Sequence, residues 1–332
     1  MMEALYQVLE SMRLSNGAYI ASPSVHYNYV WLRDVCYTVL PYLHTTCDRY
    51  VKAYQAILDI LREYEWKIDI HTRNKPVFSF EYIHSRYTVE LEESAQPWGH
   101  AQNDALGLVL WGIGQGIIHG KQILRDQRDY NVLQKLVNYL ACIEYWQTPD
   151  NGMWEEAEEV HASSLGAVIQ GLRAVQLLLD VPQELINKGE VVLNQLLPRE
   201  SVTKEVDLAL LSLIYPYRFV HRKVALRILQ RVTEQLEGPY GCMRYRGDKY
   251  FNEGQEAQWC FGLPWLGLCY WTLGEKSKVF EYWKKTKSIV PCDNRVPELY
   301  IGGRDIPNEN TPLAWSVAMV ILLSQVITGI DS

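Results

Sequence analysis

Residues 126–179 read DQRDYNVLQKLVNYLACIEYWQTPDNGMWEEAEEVHASSLGAVIQGLRAVQLLL. Apolar side chains recur every three or four residues over Asp126–Tyr145 and again over His161–Leu179, the period of two helices buried along one face. Asp126 is placed to cap the first. The intervening stretch, 146–160, has neither helical nor strand period. Unstructured links of that length in a compact protein usually carry function.

Working outward, the same periodicity marks Met2–Met12, Trp31–His44, Asp48–Tyr64 and Gln102–His119 before this stretch. After it come Pro182–Leu197, Val206–Ile214, His221–Leu236, Gln255–Leu273, Glu275–Ser288 and Thr311–Ile327, making twelve helices. Asp48 reads as a further cap, Pro182 and Pro312 as first-turn residues, and Gly274 as a stop. Every second connection is short, about one to seven residues. The others, 13–30, 65–101, 146–160, 198–205, 237–254 and 289–310, are long. Antiparallel neighbours joined in this way put all the long loops at one end. The expectation is an all-α (α/α)6 barrel of twelve antiparallel helices in one domain, residues 1–332, with a loop-built mouth. An open solenoid would show a fixed repeat, and none is visible.

Composition narrows the function classes. Apolar residues make up 48% and charged residues 21%, which supports a sizeable core. With 32 Lys and Arg against 39 Asp and Glu the net charge is −7, and no basic block occurs, so neither nucleic acid nor an anionic membrane is an expected partner. The longest apolar run, Leu313–Ile327, contains Ser316, Ser324 and Gln325 and is too short to span a bilayer. The opening MMEALYQVLESMRL carries Glu3 and Glu10 and does not read as a signal peptide. Seven scattered cysteines without CxxC spacing suit a reduced, cytoplasmic setting. The 11 Trp and 22 Tyr, against 6 Phe, favour surfaces apolar on one side and wet on the other, as sugar-binding clefts are.

The long loops hold the candidate chemistry. In 146–160, Trp154 precedes Glu155, Glu156, Glu158 and Glu159, where mutual repulsion and an adjacent indole would raise a carboxyl pKa. The bland alternative is an acidic approach to the helix dipole at His161. In 289–310, Glu298 sits between Pro297 and the apolar Leu299–Tyr300 pair. Arg33 and Asp34 enter the second helix, either as an ion pair or as a donor and acceptor for vicinal hydroxyls. WGHAQND (98–104) offers Trp98, His100, Gln102 and Asp104, and 238–254, read as a short hairpin, offers Arg244, Tyr245 and Asp248. The Gly112, Gly114, Gly116 run lies inside a helix without a preceding strand and reads as close packing, not a dinucleotide site. HExxH or Cys/His ligand spacing, a GxSxG elbow and a phosphate loop are all missing, so no metal and no cofactor is expected.

Six stretches in order, VWLRD (30–34), WGHAQNDALG (98–107), DNGMWEE (150–156), MRYRGDKY (243–250), VPELY (296–300) and TPLAWSVAM (311–319), carry a resemblance. Together they resemble glycoside hydrolase family 15, the glucoamylases, glucodextranases and some trehalases. They are also similar to the glucoamylase-like domain of phosphorylase kinase regulatory subunits. The resemblance implies an inverting, exo-acting α-glucosidase on short α-glucosides or maltooligosaccharides, with Glu155 as general acid and Glu298 as general base. It implies Arg33 and Asp34 as the grip on the terminal glucose, Trp98 as the aromatic beside the acid, and Trp154, Glu156 and Arg244 as substrate contacts. On this reading Trp98, Trp154 and Glu156 keep Glu155 protonated, while Glu298 stays ionised in a wetter pocket. Two alternatives stand beside it. One is a glucan-binding regulatory protein without turnover, and the other is a different (α/α)6 sugar enzyme, an epimerase or lyase, using His100 or His161. Linkage type and oligomeric state stay open.

Overall fold

The computed structural model describes residues 1–331. Twelve α-helices occur among them: α1 (Met2–Ser11), α2 (Leu32–Val39), α3 (Arg49–Glu63), α4 (Glu65–His71), α5 (Asn103–Ile118), α6 (Gln127–Cys142), α7 (Ala162–Val175), α8 (Gln183–Leu196), α9 (Arg222–Gln235), α10 (Gly262–Thr272), α11 (Lys276–Ile289) and α12 (Ala314–Asp331). An inner ring runs α2, α5, α7, the 3-10 segment Leu208–Leu213, α10 and α12, and closes where α12 packs against α2. Outside it, α1 lies on α12, α3 on α2 and α5, α6 on α3, α8 on α7, α9 on the 3-10 segment, and α11 on α10. This is the (α/α)6 barrel.

The two layers differ in pattern because they differ in environment. Inner helices are covered on all sides: every residue from Gly262 to Tyr270 of α10 is buried. Outer helices bury one stripe, as α9 does with Ala225, Ile228, Leu229 and Val232 at helical spacing. Glycines let α5 and α7 approach closely, since a Cβ on Gly107 would overlap the backbone of Ala167 and Val168. Gly114 faces Ala174 in the same way, which accounts for the glycine run as packing.

Several boundaries differ from expectation. The eighth barrel element is a 3-10 segment, not an α-helix. Asp207 caps it by accepting from the Ala209 amide at 2.8 Å, and Pro216 bars its continuation. The loop 65–101 contains α4, a 3-10 turn Ser79–Glu81 and strand β2 (Arg86–Tyr87), which pairs with β1 (Val30–Trp31). Helix α10 starts at Gly262 rather than Gln255, because β3 (Gln258–Trp259) pairs with β4 (Leu299–Tyr300). Asp126 caps α6 through the amides of Arg128 and Asp129. Asp48 stands at the cap position of α3, but its carboxylate pairs with Arg49 instead. Gly274, at φ +75°, ends α10 in a Schellman turn, with the Gly274 amide on the Trp271 carbonyl and the Glu275 amide on the Tyr270 carbonyl. Among the described residues no helix is long and apolar enough to cross a membrane.

Candidate active site

The N-terminal ends of the inner helices converge on one mouth, and the short β1–β2 and β3–β4 pairs brace the loops there. Strand β1 delivers the chain into α2 so that Arg33 and Asp34 fall in its first turn. Strand β4 follows Glu298 directly, and the Glu298 backbone is pinned on both sides: its amide bonds the Asn310 carbonyl and its carbonyl takes the Cys260 amide. The result is a small pocket of about 60 Å³. Arg33, Asp34, Trp154, Glu155, Arg244 and Glu298 all line it, with Tyr27, Trp31, Met153, Trp259, Phe261, Leu313 and Trp315.

Arg33 is 3% exposed and does not pair with its neighbour Asp34. Its Nε and Nη2 donate to the two carboxylate oxygens of Asp104 at 2.5 and 3.1 Å, Nη2 also reaches Gln102 Oε1 at 2.6 Å, and Nη1 lies 3.5 Å from Glu155 Oε1. Burial disfavours the cation, but Asp104 and Glu155 outweigh it and hold the guanidinium protonated. Asp34 is left facing the pocket, and burial pushes its carboxyl up to about 7 against the pull of Arg33.

Glu155 sits in the left-handed region at φ +62°, a conformation that costs a non-glycine residue roughly 1–2 kcal/mol and turns its side chain out of the acidic run. Its Oε2 accepts from Trp98 Nε1 at 2.9 Å. Burial raises its pKa, Asp104 adds to the rise, and Arg33, Gln102 and Trp98 pull it back. Glu156, expected to add like charge, is turned elsewhere. Its carboxylate takes Lys204 Nζ at 2.6 Å, Arg244 Nη2 at 3.2 Å and the Tyr245 hydroxyl at 2.6 Å. Glu159 binds the Thr203 hydroxyl at 2.5 Å, and Glu158 is exposed, so the four carboxylates separate rather than repel at one point.

The expected wet surroundings of Glu298 are not found. Its side chain is 1% exposed, and Oε2 accepts from Asn308 Nδ2 at 2.6 Å and Asn310 Nδ2 at 2.7 Å. Burial raises its pKa, while Asn310, Asn308, Tyr27 and Arg244 favour the charged form. Arg244 is held by Asp248 through Nε at 2.7 Å and Nη2 at 2.8 Å, with its guanidinium 5.4 Å from the Trp154 ring and 4.7 Å from that of Trp259. Trp154 spends no donor on Glu155. Its Nε1 bonds Asp207 Oδ1 at 2.8 Å, and its ring stacks toward Phe261 and Trp315.

Six of the eight candidate residues thus share one pocket. Trp98 touches it through Glu155, and Glu156 stands behind Arg244. His100 is stacked on His84 at 3.7 Å, where burial takes its pKa down to about 4, and His161 is buried between Glu200 and Asp150. Neither lines the pocket. Sequence reasoning missed the aromatic floor of Trp259, Phe261 and Trp315, and the Asn308 and Asn310 donors. The Asn-x-Asn spacing ten and twelve residues after Glu298 was the available signal. No group of three His, Cys, Asp or Glu among the described residues is arranged to hold a metal.

The model of the glycosyl hydrolases family 15 matches residues 2–259. The chain belongs to that family. Glu298 lies beyond the matched stretch, but superposition on solved family-like folds extends past it. A wild-type glycosidase superposes with TM-score 0.83 at 21% identity, covering 98% of this chain and 96% of that one. The glucoamylase from Saccharomycopsis fibuligera gives 0.72 at 13% identity, covering 99% and 94%. Among curated proteins, the family 15 chain is 28% identical to the probable phosphorylase b kinase regulatory subunit alpha of Caenorhabditis elegans, over 84% of its own length and 27% of that subunit. It is also 28% identical to the skeletal muscle isoform of Oryctolagus cuniculus, over 66% and 21%. The chain therefore spans about a quarter of the length of these relatives.

Proposed function

We propose that this family 15 chain is an inverting, exo-acting α-glucosidase on short α-glucosides or maltooligosaccharides, with its barrel acting as one catalytic unit. The observation that carries the reading is the pair Glu155 and Glu298 lining one pocket together with Asp34, whose carboxylate makes no ion pair with a described residue. Asp34 and Arg244 hold the hydroxyls of the terminal glucose, and the Trp154, Trp259 and Trp315 rings take its apolar faces. Glu155, whose pKa burial raises, gives its proton to the glycosidic oxygen as the bond to C1 breaks. Glu298 removes a proton from a water that attacks C1 from the opposite face. The alcohol leaves neutral, glucose forms with inverted configuration, and the two carboxyls return to their starting states by exchange with solvent. Such a single displacement places the carboxyls about 6.5–9.5 Å apart.

A second reading draws on the similarity to phosphorylase b kinase regulatory subunits: the pocket binds glucan and does not turn it over. Glucose release from maltose, isomaltose, trehalose and maltoheptaose separates the two. Release abolished by Glu155→Gln and by Glu298→Gln supports the hydrolase. Saturable binding of maltoheptaose with no release from any of the four supports the regulatory protein.

A further inference from the structure

At the other end of the barrel, where the inner elements finish, a cavity of about 880 Å³ opens. Its walls come from the ends of α5, α7, α10 and α12, from Leu40–His44 after α2, and from Tyr215–Arg218 after the 3-10 segment. That volume lies in the range of roughly 300–1,000 Å³ usual for small-molecule sites. The candidate active site, at the opposite mouth, shares no residue with it.

The wall chemistry narrows the ligand. Trp111, Trp271, Tyr215 and Tyr217 supply rings, Gln115 supplies an amide, and Arg218 a guanidinium. Trp271 is 37% exposed, an indole left partly in solvent. Arg218 stands in the left-handed region at φ +49°, in the turn that closes the 3-10 segment, where its amide bonds the Ile214 carbonyl. Its guanidinium lies 5.3 Å from the Trp271 ring and forms no ion pair with a described residue. No Asp or Glu lines the cavity, so it does not suit a cation. Arg173, the other arginine of the wall, is paired with Glu190, and the inner helices end here and turn their partial negative charge on this mouth, which weakens the preference for an anion. What remains is a roomy site with aromatic faces for C–H surfaces and N–H donors for hydroxyls.

We propose that this mouth is a second binding site, for a neutral oligosaccharide, independent of the pocket around Glu155. The choice of an α-glucan as probe rests on the function proposed above, and the site itself does not. The test is a titration of the full chain with maltoheptaose, followed by the indole N–H resonances in NMR assigned with Trp→Phe variants. Trp271 and Trp111 should shift saturably. Trp271→Ala and Arg218→Gly, which keeps the left-handed backbone accessible, should each weaken that response at Trp111, by roughly thirtyfold for the lost aromatic anchor. Both should leave Trp98 responses and glucose release unchanged. Shifts confined to Trp98 and Trp154 would overturn the second site and leave the first intact. Shifts confined to Trp111 and Trp271 would uphold it while removing the reading of the first. An equal response to inorganic phosphate, or undiminished affinity in both variants, would also overturn it.

Discussion

The guanidinium of Arg33 grips Asp104, not the Asp34 beside it in the chain, and the two buried side chains meet through two hydrogen bonds at 2.5 and 3.1 Å. This division leaves Asp34 outside any ion pair with a described residue and lining the pocket, and makes Arg33 a brace that also faces Glu155. Asp104→Asn should therefore cost about 3–5 kcal/mol by stranding a buried cation, read from urea unfolding. Asp34→Asn should not lower the unfolding midpoint, because burial works against the Asp34 charge, while lowering kcat/KM by roughly a hundredfold or more. Equal loss of stability in both variants would contradict the division.

Trp98 favours the ionised form of Glu155 through its indole N–H, at 2.9 Å. Trp98→Phe removes that donor and keeps a ring. The Glu155 pKa should rise further, moving the alkaline limb of the kcat/KM profile to higher pH. A limb that stays in place would show that Trp98 does not tune this group.

Asn308 and Asn310 act in the same sense on Glu298, whose carboxyl burial already raises. Asn308→Ala should raise its pKa again, and a base must be ionised to act. The acidic limb should then shift upward with the alkaline limb fixed, the reverse of the Trp98→Phe result. Measuring both profiles on one substrate separates the two carboxyls.

His161 is pressed against the acid loop, and its Nδ1 lies 3.5 Å from Glu200 Oε1. Burial opposes its charge, but Glu200 and Asp150 prevail and push its pKa up to about 9 from 6.5. A folded-state value above the unfolded one means the stabilisation is complete below about pH 6.5 and lost as pH rises through about 9. His161→Gln should remove up to about 3 kcal/mol at pH 6 and much less at pH 10, seen as converging Tm values. A constant difference across that range would contradict the assignment.

The barrel was legible because burial imposes period: outer helices such as α9 show a clean stripe, and long and short connections alternate. The 3-10 segment was not, since Leu208–Leu213, apolar at every position but Ser212, carries no period that separates it from an α-turn. Helix α4 was hidden for a related reason, because it continues α3 after a break at Tyr64 and leaves Trp66 and Ile70 exposed. In the site, residue types were readable and orientations were not. Adjacent Arg33 and Asp34 point to different tasks, and Glu155 and Glu156 part because one adopts a left-handed backbone. Asn308 and Asn310 became meaningful only when the chain folded back on Glu298.

The central claim is that Glu155 and Glu298 act on opposite faces of one sugar in a single displacement. Proton NMR of the first glucose released from maltose, recorded before mutarotation, tests it most directly. The account predicts β-glucose first, with α-glucose appearing only as the anomers equilibrate. α-Glucose as the first product would contradict it.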